Sequence, residues 1–450
     1  MKKLLTISFV LALSMAWSQV ELNDSGLQQC FTDNYPAFVI NTTQLDTVQA
    51  KSYSGTVSCL GDEITNLEVL SYFESTKEIS FSNVSANDLT PILDMNSLLR
   101  LKLWDSQIPT LPDLSSLSTL EVLKVEKSGL LEVPQIHSNL RTISFQDNLL
   151  EEMIISETYP ELKILELNGN QLNKFEGLPN LPKLEILNLT ENPLTELESF
   201  ENNDSLKTLR LVDLPLESVL LGLSDKVKLE EVAFVGIDLT DLPDLPFDNL
   251  TEYLVARNNL TFEDLLPLLS VPGFPATTAN YDNQNTQGEA QTIERLENES
   301  WTWTLDFDQT VNTNYYLWYK DGVKIDSTTE GELVLNDLNA GEAGVYTCEV
   351  KNTLMAGATL KVQATTLNIE TTVTAEESSA FSPNGDGEYD TFYIDEEGTI
   401  QLVDERGRFV KELQGPAHWD GTDNDGNPLP FGYYILVVNG KPQSGITIVK

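Results

Sequence analysis

Side chains that could carry out catalysis are few in this chain and widely separated. It has two histidines, His137 and His418, which lie far apart in the sequence. It contains no Gly-x-Ser-x-Gly elbow, no His-Glu-x-x-His pair and no phosphate-binding loop. Its 70 acidic residues form many accidental carboxylate pairs, and none is marked as the pair of a glycosidase. We therefore expect no catalytic residues and a protein that is not an enzyme, with a secreted hydrolase as the least favoured alternative.

Oxygen-bearing side chains near the C-terminus could instead bind a metal ion. Asn384, Asp386 and Asp390 follow the spacing of part of a calcium loop, because Ca²⁺ takes oxygen ligands at alternate positions. However, an EF-hand would also need acidic residues where Ser382 and Tyr393 stand. The other interpretation is that the Asn-Gly and Asp-Gly pairs here are simply turns. We therefore expect no cofactor, with calcium at these three residues as the alternative.

A third group of residues combines positive charge with an aromatic ring. Arg100, Lys102 and Trp104 alternate along one segment, and Lys124 and Lys127 occupy a similar segment about 22 residues later. An outward-facing tryptophan among cations is a candidate ligand contact on a very acidic protein. The competing interpretation is a ring that lies flat over lysine side chains and binds no partner. Which of the two applies depends on the elements that carry these residues.

Those elements repeat one phrase, Leu-x-x-Leu-x-Leu, followed by four residues and another apolar residue. Ten copies begin at 54, 76, 98, 120, 140, 162, 184, 206, 229 and 250. Every apolar position of the phrase is occupied by an apolar residue except at Ser54 and Thr76. The alternation within the phrase is strand spacing, and one such strand can bury its apolar face only against further copies. The repeat therefore predicts stacked coils with one continuous core.

The phrase resembles the leucine-rich repeat of about 22 residues. The resemblance implies a curved solenoid over 54–275 with a parallel sheet on its concave face. The eighth residue after the start of four copies is an asparagine, which could satisfy backbone groups at the turn; these are Asn148, Asn170, Asn192 and Asn258. Neighbouring strands lie ~4.8 Å apart. The outward residues of the third and fourth copies, which include Asp105 and Glu126, would therefore form one surface. We call its candidate ligand contacts the concave patch; they are Arg100, Lys102, Trp104, Lys124 and Lys127.

The charge of the chain restricts its partners. It has 70 acidic and 27 basic residues and a net charge of −43. This argues against nucleic acid, whose protein partners present a basic surface, and against electrostatic adhesion to anionic lipid. The charge either keeps the protein soluble outside the cell or loads its surface with divalent cations.

The first residues are typical of a secretory signal peptide. Lys2 and Lys3 precede an apolar run, and Ala16-Trp17-Ser18 form a small-x-small cleavage site. We therefore expect residues 1–18 to be removed by cleavage near Ser18. No later stretch approaches the ~18 apolar residues that a membrane-spanning helix needs, so no transmembrane segment is expected.

The segments on either side of the repeats have their own expected roles. Residues 19–53 do not fit the phrase and are expected to cap the N-terminal end of the solenoid. Cys30 and Cys59 either form a disulfide that pins this cap, or leave Cys59 as a buried thiol in place of a leucine. Residues 276–287 are rich in Thr, Asn, Gln and Gly and are expected to be a linker.

Residues 288–369 contain alternating segments typical of β-strands. Tyr346 and Cys348, together with Trp318, resemble the tyrosine corner, second cysteine and core tryptophan of an immunoglobulin-like domain. The resemblance implies a β-sandwich that acts as a spacer. The position expected for the first cysteine carries Leu305. We therefore expect that the inter-sheet disulfide is absent and that Cys348 is a buried free thiol.

Residues 376–450 carry several motifs in a fixed order. The run Ala380-Phe-Ser-Pro-Asn-Gly-Asp-Gly-Glu-Tyr-Asp-Thr-Phe392 is followed by Trp419-Asp-Gly-Thr422. Together they resemble the gliding-motility-associated, type B sorting domain of type IX secretion. The resemblance implies a small β-sandwich that the type IX machinery recognises, and export to the surface or exterior of a Gram-negative cell. The residues of the sorting motif are Ser382, Pro383, Asn384, Gly385, Asp386, Gly387, Asp390, Trp419, Asp420 and Gly421.

These observations together predict a multidomain, β-rich protein. Its leucine-rich repeat solenoid is followed by an immunoglobulin-like β-sandwich and a small C-terminal β-sandwich. We expect an adhesin-like binding protein whose concave face recognises an extracellular protein or glycan. The alternative is a structural component of the surface or matrix that has no specific ligand.

Overall fold

The computed structural model describes residues 19–61, 63–217, 220–275, 278–370 and 379–450. The expected signal peptide, the first two residues of the expected linker and the first residues of the expected sorting domain lie outside these ranges. The described residues belong to two compact units. One extends through Gln291 and includes Trp303–Leu333 and Val345–Thr365, and the other comprises Thr292–Thr302, Val334–Gly344 and Thr366–Lys450.

The segment that the sequence predicts to cap the solenoid contains short helices and strands before the first repeat strand. It contains β1 (Gln19–Glu21), α1 (Ser25–Asn34), a 3-10 helix (Pro36–Phe38), β2 (Val39–Ile40), β3 (Gln44–Asp46) and α2 (Thr47–Ser52). The three strands form an antiparallel sheet in the order β1-β3-β2. Asp24 is buried and begins α1, because its Oδ1 accepts the Leu27 N–H at 2.7 Å. Its Oδ2 accepts the N–H groups of Thr65 and Asn66 and so joins the cap to the first coil.

A disulfide between Cys30 and Cys59 makes a second connection between the cap and the first coil. The two Cα atoms are 5.6 Å apart, and both residues are buried. Of the two alternatives that the sequence leaves open, the structure therefore has the disulfide. It links α1 to the first strand of the solenoid across 29 residues of sequence.

Ten parallel strands form the solenoid sheet, one from each predicted copy. They are β4 (Thr56–Cys59), β5 (Glu78–Ser82), β6 (Arg100–Trp104), β7 (Val122–Glu126), β8 (Thr142–Ser144), β10 (Ile164–Glu166), β12 (Ile186–Asn188), β13 (Thr208–Val212), β14 (Glu231–Val235) and β15 (Glu252–Leu254). Equivalent leucines stack in register, so that Leu165 lies beside Leu187 and Leu187 beside Leu209. All three are fully buried. The period of the sequence therefore sets both the strand positions and the core.

On the side of each coil opposite the sheet, short helices and extended segments connect one strand to the next. The helices are 3-10 helices at Glu68–Tyr72, Thr90–Asp94, Leu178–Asn180 and Leu266–Ser270, and α3 at Phe262–Leu265. Two short strands, β9 (Glu152–Ile154) and β11 (Lys174–Glu176), pair in parallel and form a separate sheet. We call this side of the solenoid convex.

Asparagine side chains connect consecutive coils inside the array, as expected from their spacing. Asn170 is buried, and its Oδ1 accepts the Leu150 N–H of the preceding coil at 3.1 Å. Its Nδ2 donates to the carbonyl oxygens of Phe145 and Leu167 at 2.8 and 2.9 Å. Asn148, Asn192 and Asn258 make the same kind of contacts. Each amide therefore satisfies backbone groups that the turn leaves without a partner in its own coil.

The residue just before this asparagine position has left-handed backbone geometry in every copy. The residues with positive φ are Gly61, Asn83, Asp105, Lys127, Asp147, Gly169, Glu191, Asp213, Gly236 and Arg257. Every coil therefore leaves the sheet through the same kind of turn, and most copies tolerate the small conformational cost of a side chain there. This geometry fixes Lys127 at the end of β7, beyond the last strand residue.

The segment expected to be a linker continues the solenoid. Asn280 forms a parallel bridge with Leu254 on the last strand. Gln284 is buried, accepts the Asn258 N–H at 3.1 Å and donates to the Val255 carbonyl at 2.8 Å. It thus occupies the place of the ladder asparagine in a partial eleventh coil. This coil is not evident in the sequence, because its apolar positions no longer carry leucine. Asn283 nevertheless has the positive φ of the left-handed turn.

An antiparallel β-module follows the array. Its elements are β16 (Gln291–Leu296), β17 (Trp301–Thr304), β18 (Asn314–Lys320), β19 (Val323–Thr328), β20 (Glu332–Leu335), a 3-10 helix (Ala340–Glu342), β21 (Gly344–Asn352), β22 (Thr359–Lys361) and β23 (Thr365–Glu370). Strand β18 pairs with β19 and β21, β21 pairs with β22, and β17 pairs with β20. Trp318 lies opposite Cys348 across β18 and β21, and both are buried. Cys348 is a free thiol whose pKa burial raises to about 12.

A buried carboxylate joins this module to the last coil. The side chain of Asp308 accepts the N–H groups of Phe262 and Glu263 at 3.1 and 2.8 Å, at the start of α3. Asn314 donates to the same carboxylate at 3.3 Å. Burial raises the pKa of Asp308, and these donors oppose that effect by favouring its charged form. The end of the solenoid is therefore tied to the β-module by specific hydrogen bonds.

The C-terminal residues form a mixed five-stranded sheet. Its strands are β24 (Ser379–Phe381), β25 (Phe392–Asp404), β26 (Phe409–Trp419), β27 (Gly432–Val438) and β28 (Lys441–Ile448), in the order β24-β28-β27-β25-β26. Only β24 and β28 run parallel. The long pair of β25 and β26 changes register twice, and bulges of this kind bend a sheet. Residues from both ends of β25 share one core with Trp419, which gives this domain its sandwich-like packing.

Candidate functional site

The solenoid sheet brings the predicted concave patch together. Arg100, Lys102 and Trp104 alternate along β6, and Lys102 lies directly beside Lys124 of β7 in the register of the sheet. Their side chains point outward because the leucines between them fill the core. All four are half-buried, and Lys127 at the following turn is exposed. The five predicted residues therefore form one accessible surface on neighbouring strands.

An acidic residue that the sequence prediction omitted contacts both Arg100 and Lys102. Glu78 of β5 accepts the Arg100 Nε at 2.7 Å and the Lys102 Nζ at 2.8 Å. Burial of Glu78 works against its ionisation, but the hydrogen bonds from Lys102 and Arg100 outweigh this effect and hold the pKa of the carboxyl below its usual range. The sequence could have indicated that Glu78 lies beside Arg100, because Glu78 occupies the same outward position in its copy as Arg100 does in the next.

The third cation also lies between carboxylates. The Lys124 Nζ is 3.4 Å from Glu126 and 3.5 Å from Glu166. Ser144 donates to Glu126 at 2.7 Å and accepts from Gln146 at 3.0 Å. Polar side chains from β7, β8 and β10 are thus held in one hydrogen-bonded network. Three of the four basic residues of the expected patch, Arg100, Lys102 and Lys124, are therefore paired with carboxylates.

Trp104 ends the row of alternating side chains on β6. It lies between Ser82 of β5 and Glu126 of β7 in the register of the sheet. Among the residues that the structure describes, none accepts a hydrogen bond from its indole N–H. The ring therefore offers a half-exposed apolar face and an available donor beside a network of fixed charges. Indole groups of this kind are frequent in binding surfaces because they combine large apolar area with a polar handle.

A second line of ion pairs runs along the edge of the sheet, just before the strands. Glu185 accepts from Lys163 and Lys207, the equivalent residues of the copies on either side, at 2.5 and 2.7 Å. These two hydrogen bonds lower the pKa of Glu185 to about 2. Arg141 lies 3.8 Å from Glu121 in the same line. Arg141, Lys163 and Lys207 of this edge are therefore paired with carboxylates, as Arg100, Lys102 and Lys124 of the concave patch are.

The two parts of the predicted sorting motif meet in the C-terminal domain. Trp419 is fully buried, and its indole N–H donates to the Thr422 carbonyl at 3.0 Å. The ring lies 5.3 Å from that of Phe381. Gly421 has a φ of 72°, and a Cβ at this position would be 2.7 Å from the Pro383 ring. The Ser-Pro-Asn-Gly loop therefore packs directly on the Trp-Asp-Gly turn.

The remaining polar residues of the sorting motif stabilise turns. Asp390 uses both carboxylate oxygens to accept the N–H groups of Gly385 and Gly387, at 2.6 and 2.7 Å. Asn384 accepts the Asp386 N–H at 2.9 Å. The Glu388 N–H and Asn384 lower the pKa of Asp386 by hydrogen bonding. All three residues proposed as calcium ligands therefore take part in hydrogen bonds within the turn.

Other acidic groups of this domain are also engaged. Asp420 accepts from Thr422 Oγ1 at 2.6 Å and from Lys411 Nζ at 3.0 Å. Asp423 accepts the N–H groups of Asp425 and Asn427 at 2.9 and 2.8 Å. Within the described ranges, no three or more His, Cys, Asp or Glu side chains are grouped so that they could hold a metal ion.

The two histidines lie in separate local environments. His137 Nδ1 accepts the Asn139 N–H at 3.1 Å in a connection between strands. His418 packs against the ring of Tyr393 at 4.9 Å and lies 3.3 Å from the Thr391 hydroxyl. Each therefore has a local structural contact.

Comparison of the sequence with protein families identifies the C-terminal domain. Residues 375–447 match the CHU_C type IX secretion signal domain. This domain carries the chain into type IX export, to the cell surface or the exterior, and implies contact with the secretion machinery. No curated protein matches the chain. Among the described residues, no helix has the length and apolarity needed to cross a membrane.

Several solved structures are similar to the chain at low sequence identity. Listeria monocytogenes InlP is 16% identical with a TM-score of 0.40, over 77% of this chain and 96% of InlP. An internalin of the same species, InlF, is 15% identical with a TM-score of 0.29, over 59% of this chain and 96% of InlF. Its internalin C2 is also 15% identical with a TM-score of 0.34, over 56% of this chain and 91% of that protein.

Proposed function

We propose that this chain is an exported binding protein whose concave patch recognises an extracellular protein or glycan. The observation that carries the proposal is the half-exposed Trp104, with its available indole N–H, beside the ordered network around Lys102, Lys124 and Glu126. A rigid parallel sheet holds these groups at fixed spacing, so that little conformational entropy is lost when a ligand binds. The flanking domains then have other roles, with the β-module as an immunoglobulin-like spacer and the C-terminal domain as the export signal.

The pairing of charges favours a polar ligand that carries little net charge. Arg100 and Lys102 already donate to Glu78, and Lys124 lies between Glu126 and Glu166. A polyanion would have to break these contacts and approach a chain with a net charge of −43. A neutral glycan can instead stack on Trp104 and exchange hydrogen bonds with the paired side chains. A glycan or a neutral polar protein surface therefore fits the patch better than a polyanion.

A structural role in the surface layer is the second candidate. It is favoured by the same ion pairs, because Arg100, Lys102 and Lys124 already contact carboxylates within the protein. The proposed site then reduces to Trp104 and the hydrogen-bonding groups around it. The two candidates differ in whether the purified protein binds any ligand saturably through the concave patch.

A binding screen tests the proposal. The mature chain 19–450 would be titrated with neutral polysaccharides, anionic polysaccharides and extracellular proteins, each with and without calcium. We expect saturable binding of a neutral ligand that does not depend on calcium. Binding of none of these, by a protein whose circular dichroism shows an intact fold, would favour the structural role. Binding that requires calcium would support the alternative in which the acidic surface or the Asn384 loop holds that ion.

A further inference from the structure

A groove on the convex side of the solenoid separates two consecutive coils. It is formed by residues 131–136 of the fourth copy and 151–157 of the fifth, and its volume is about 580 Å³. Hydrogen bonds close it at both ends, from the Leu149 N–H to the Leu130 carbonyl at 2.9 Å and from the Tyr159 hydroxyl to the Ile136 carbonyl at 3.5 Å. Between these points the structure describes every residue of the two segments, and no hydrogen bond connects them. We call this feature the convex groove.

The spacing of the repeats explains why the groove lies here. The fourth copy runs from 120 to 139 and has 20 residues, whereas the other copies have 21 to 23. The strands of the fourth and fifth copies remain in register on the concave sheet. The residues that the fourth copy lacks are therefore missing from its convex side. Pro134 also lies in this segment, and proline has no N–H to donate to a neighbouring strand. The segment of the fourth copy therefore does not pair with β9.

Strand β9 consequently presents a free edge to the groove. Its other edge pairs with β11, and the Ile155 N–H donates to the Glu176 carbonyl at 2.9 Å. Because alternate residues of a strand direct their backbone groups to opposite edges, Glu152 and Ile154 direct theirs into the groove. Within the described ranges, neither N–H has an acceptor. By contrast, beyond β11 the Gly177 N–H donates to the Glu198 side chain at 2.6 Å.

The side chains around this edge define what could pair with it. Glu132, Glu151, Glu152 and Glu157 line the groove and are exposed, and no lysine or arginine lines it. Glu152 and Ile154 lie on the outward face of β9, and Met153 points into the protein. A strand added here would direct alternate residues toward the exposed glutamates and toward the inner side of the groove, where the buried side chains of Met153 and Ile155 lie. Residues that alternate between basic and apolar satisfy both environments.

We propose that the convex groove binds an extended basic segment of a protein partner, which adds to β9 as a further strand. Backbone hydrogen bonds to Glu152 and Ile154 supply the contact, and lysine or arginine side chains beside the glutamates supply the selectivity for sequence. This surface is separate from the concave patch. A protein partner could therefore be held on the convex side while the concave patch is occupied.

The proposal can be tested with a labelled peptide of about eight residues that alternates lysine and valine, a length typical of strands. Its binding to the mature chain 19–450 would be measured by fluorescence anisotropy. A second peptide of identical sequence would carry N-methyl groups on alternate backbone nitrogens, which removes donors but keeps the charge. We expect methylation to weaken binding by at least about ten-fold, and equal binding of the two peptides would show attraction by charge alone and overturn the proposal.

Variants of the protein locate the site. Glu132→Lys with Glu152→Lys should weaken binding of the unmethylated peptide by at least about ten-fold. Glu201→Lys with Glu217→Lys makes the same change in net charge at exposed positions outside the groove, and should leave binding within about two-fold. Hydrogen exchange provides a second measurement on the unmodified protein, where the amides of Glu152 and Ile154 should become protected when the peptide binds. Equal effects of the two charge reversals, or no protection, would contradict the assignment.

Discussion

The Glu78 carboxylate lies 2.8 Å from the Lys102 ammonium group on the neighbouring strand. This contact changes the chemical character of the concave patch, because Glu78 from the preceding coil is paired with both Arg100 and Lys102. The patch is therefore an ordered polar surface with one aromatic ring, and its selectivity depends on hydrogen bonding and stacking more than on net charge.

Asn170→Ala should destabilise the solenoid. It leaves the Leu150 N–H and the carbonyls of Phe145 and Leu167 without this partner inside the protein, and an unsatisfied buried polar group costs about 1–3 kcal/mol. Asn173→Ala provides the control, because Asn173 is exposed in the same copy. The free energy of unfolding, measured with urea, should fall for the first variant only. Equal losses would show that the amide ladder is not the cause.

Loss of the Cys30–Cys59 disulfide should loosen the cap. The double variant Cys30→Ala, Cys59→Ala should lose about 2–4 kcal/mol of stability. A reductant should lower the urea midpoint of the unmodified protein to that of the variant and leave the variant unchanged. If the midpoint of the unmodified protein does not respond to the reductant, the cap is held by contacts other than the disulfide, such as those of Asp24.

Glu185 should make the stability of the array depend on pH in the acid range. Its pKa is about 2 in the folded protein and 4.5 when unperturbed, so its stabilising contribution is complete above about 4.5 and is lost as the pH falls toward 2. Because the contacts lie near the surface, we expect the contribution to be below about 1 kcal/mol. Glu185→Gln should flatten the slope of stability between these pH values, and Glu196→Gln, at an exposed position, should not. An unchanged slope in Glu185→Gln would contradict the assignment.

Gly421→Ala should disrupt the type IX signal domain. The substituted residue would have an unfavourable left-handed backbone, which costs about 1–2 kcal/mol, and its Cβ would also clash with Pro383. Gly426→Ala separates the two effects, because Gly426 has a φ of 82° and no atom within 4 Å of an added Cβ. We expect a larger loss of surface protein, measured by protease accessibility of intact cells, for Gly421→Ala. If both variants reach the surface equally, close packing of the two motifs is not needed for export.

The sequence predicted the strands and core of the array because one apolar phrase controls both. Leu165, Leu187 and Leu209 could be placed from their spacing alone. The spacing could place Glu78 beside Arg100, but it could not show the contact of Glu78 with Lys102, because pairing across coils depends on the conformations of long side chains. The partial eleventh coil was missed since it keeps its ladder residue, Gln284, but not its leucines.

The convex groove shows a different limit of sequence analysis. The spacing of the copies showed that the fourth copy is short, but it did not show that a groove would form beside it. Whether two missing residues open a groove or shift the strand register depends on which face of the coil they are missing from. In this chain the register of Leu123 and Ile143 is kept, so the gap appears beside β9.

The most direct test of the central claim compares two double variants in the same ligand titration. Lys102→Ala with Trp104→Ala removes the centre of the concave patch. Arg210→Ala with Val212→Ala changes the equivalent two positions of β13, in the same sheet. For a neutral ligand found in the screen, we predict that affinity falls at least about ten-fold in the first variant and stays within about two-fold in the second. Equal affinity of the first variant and the unmodified protein, with both folded, would contradict recognition through this patch.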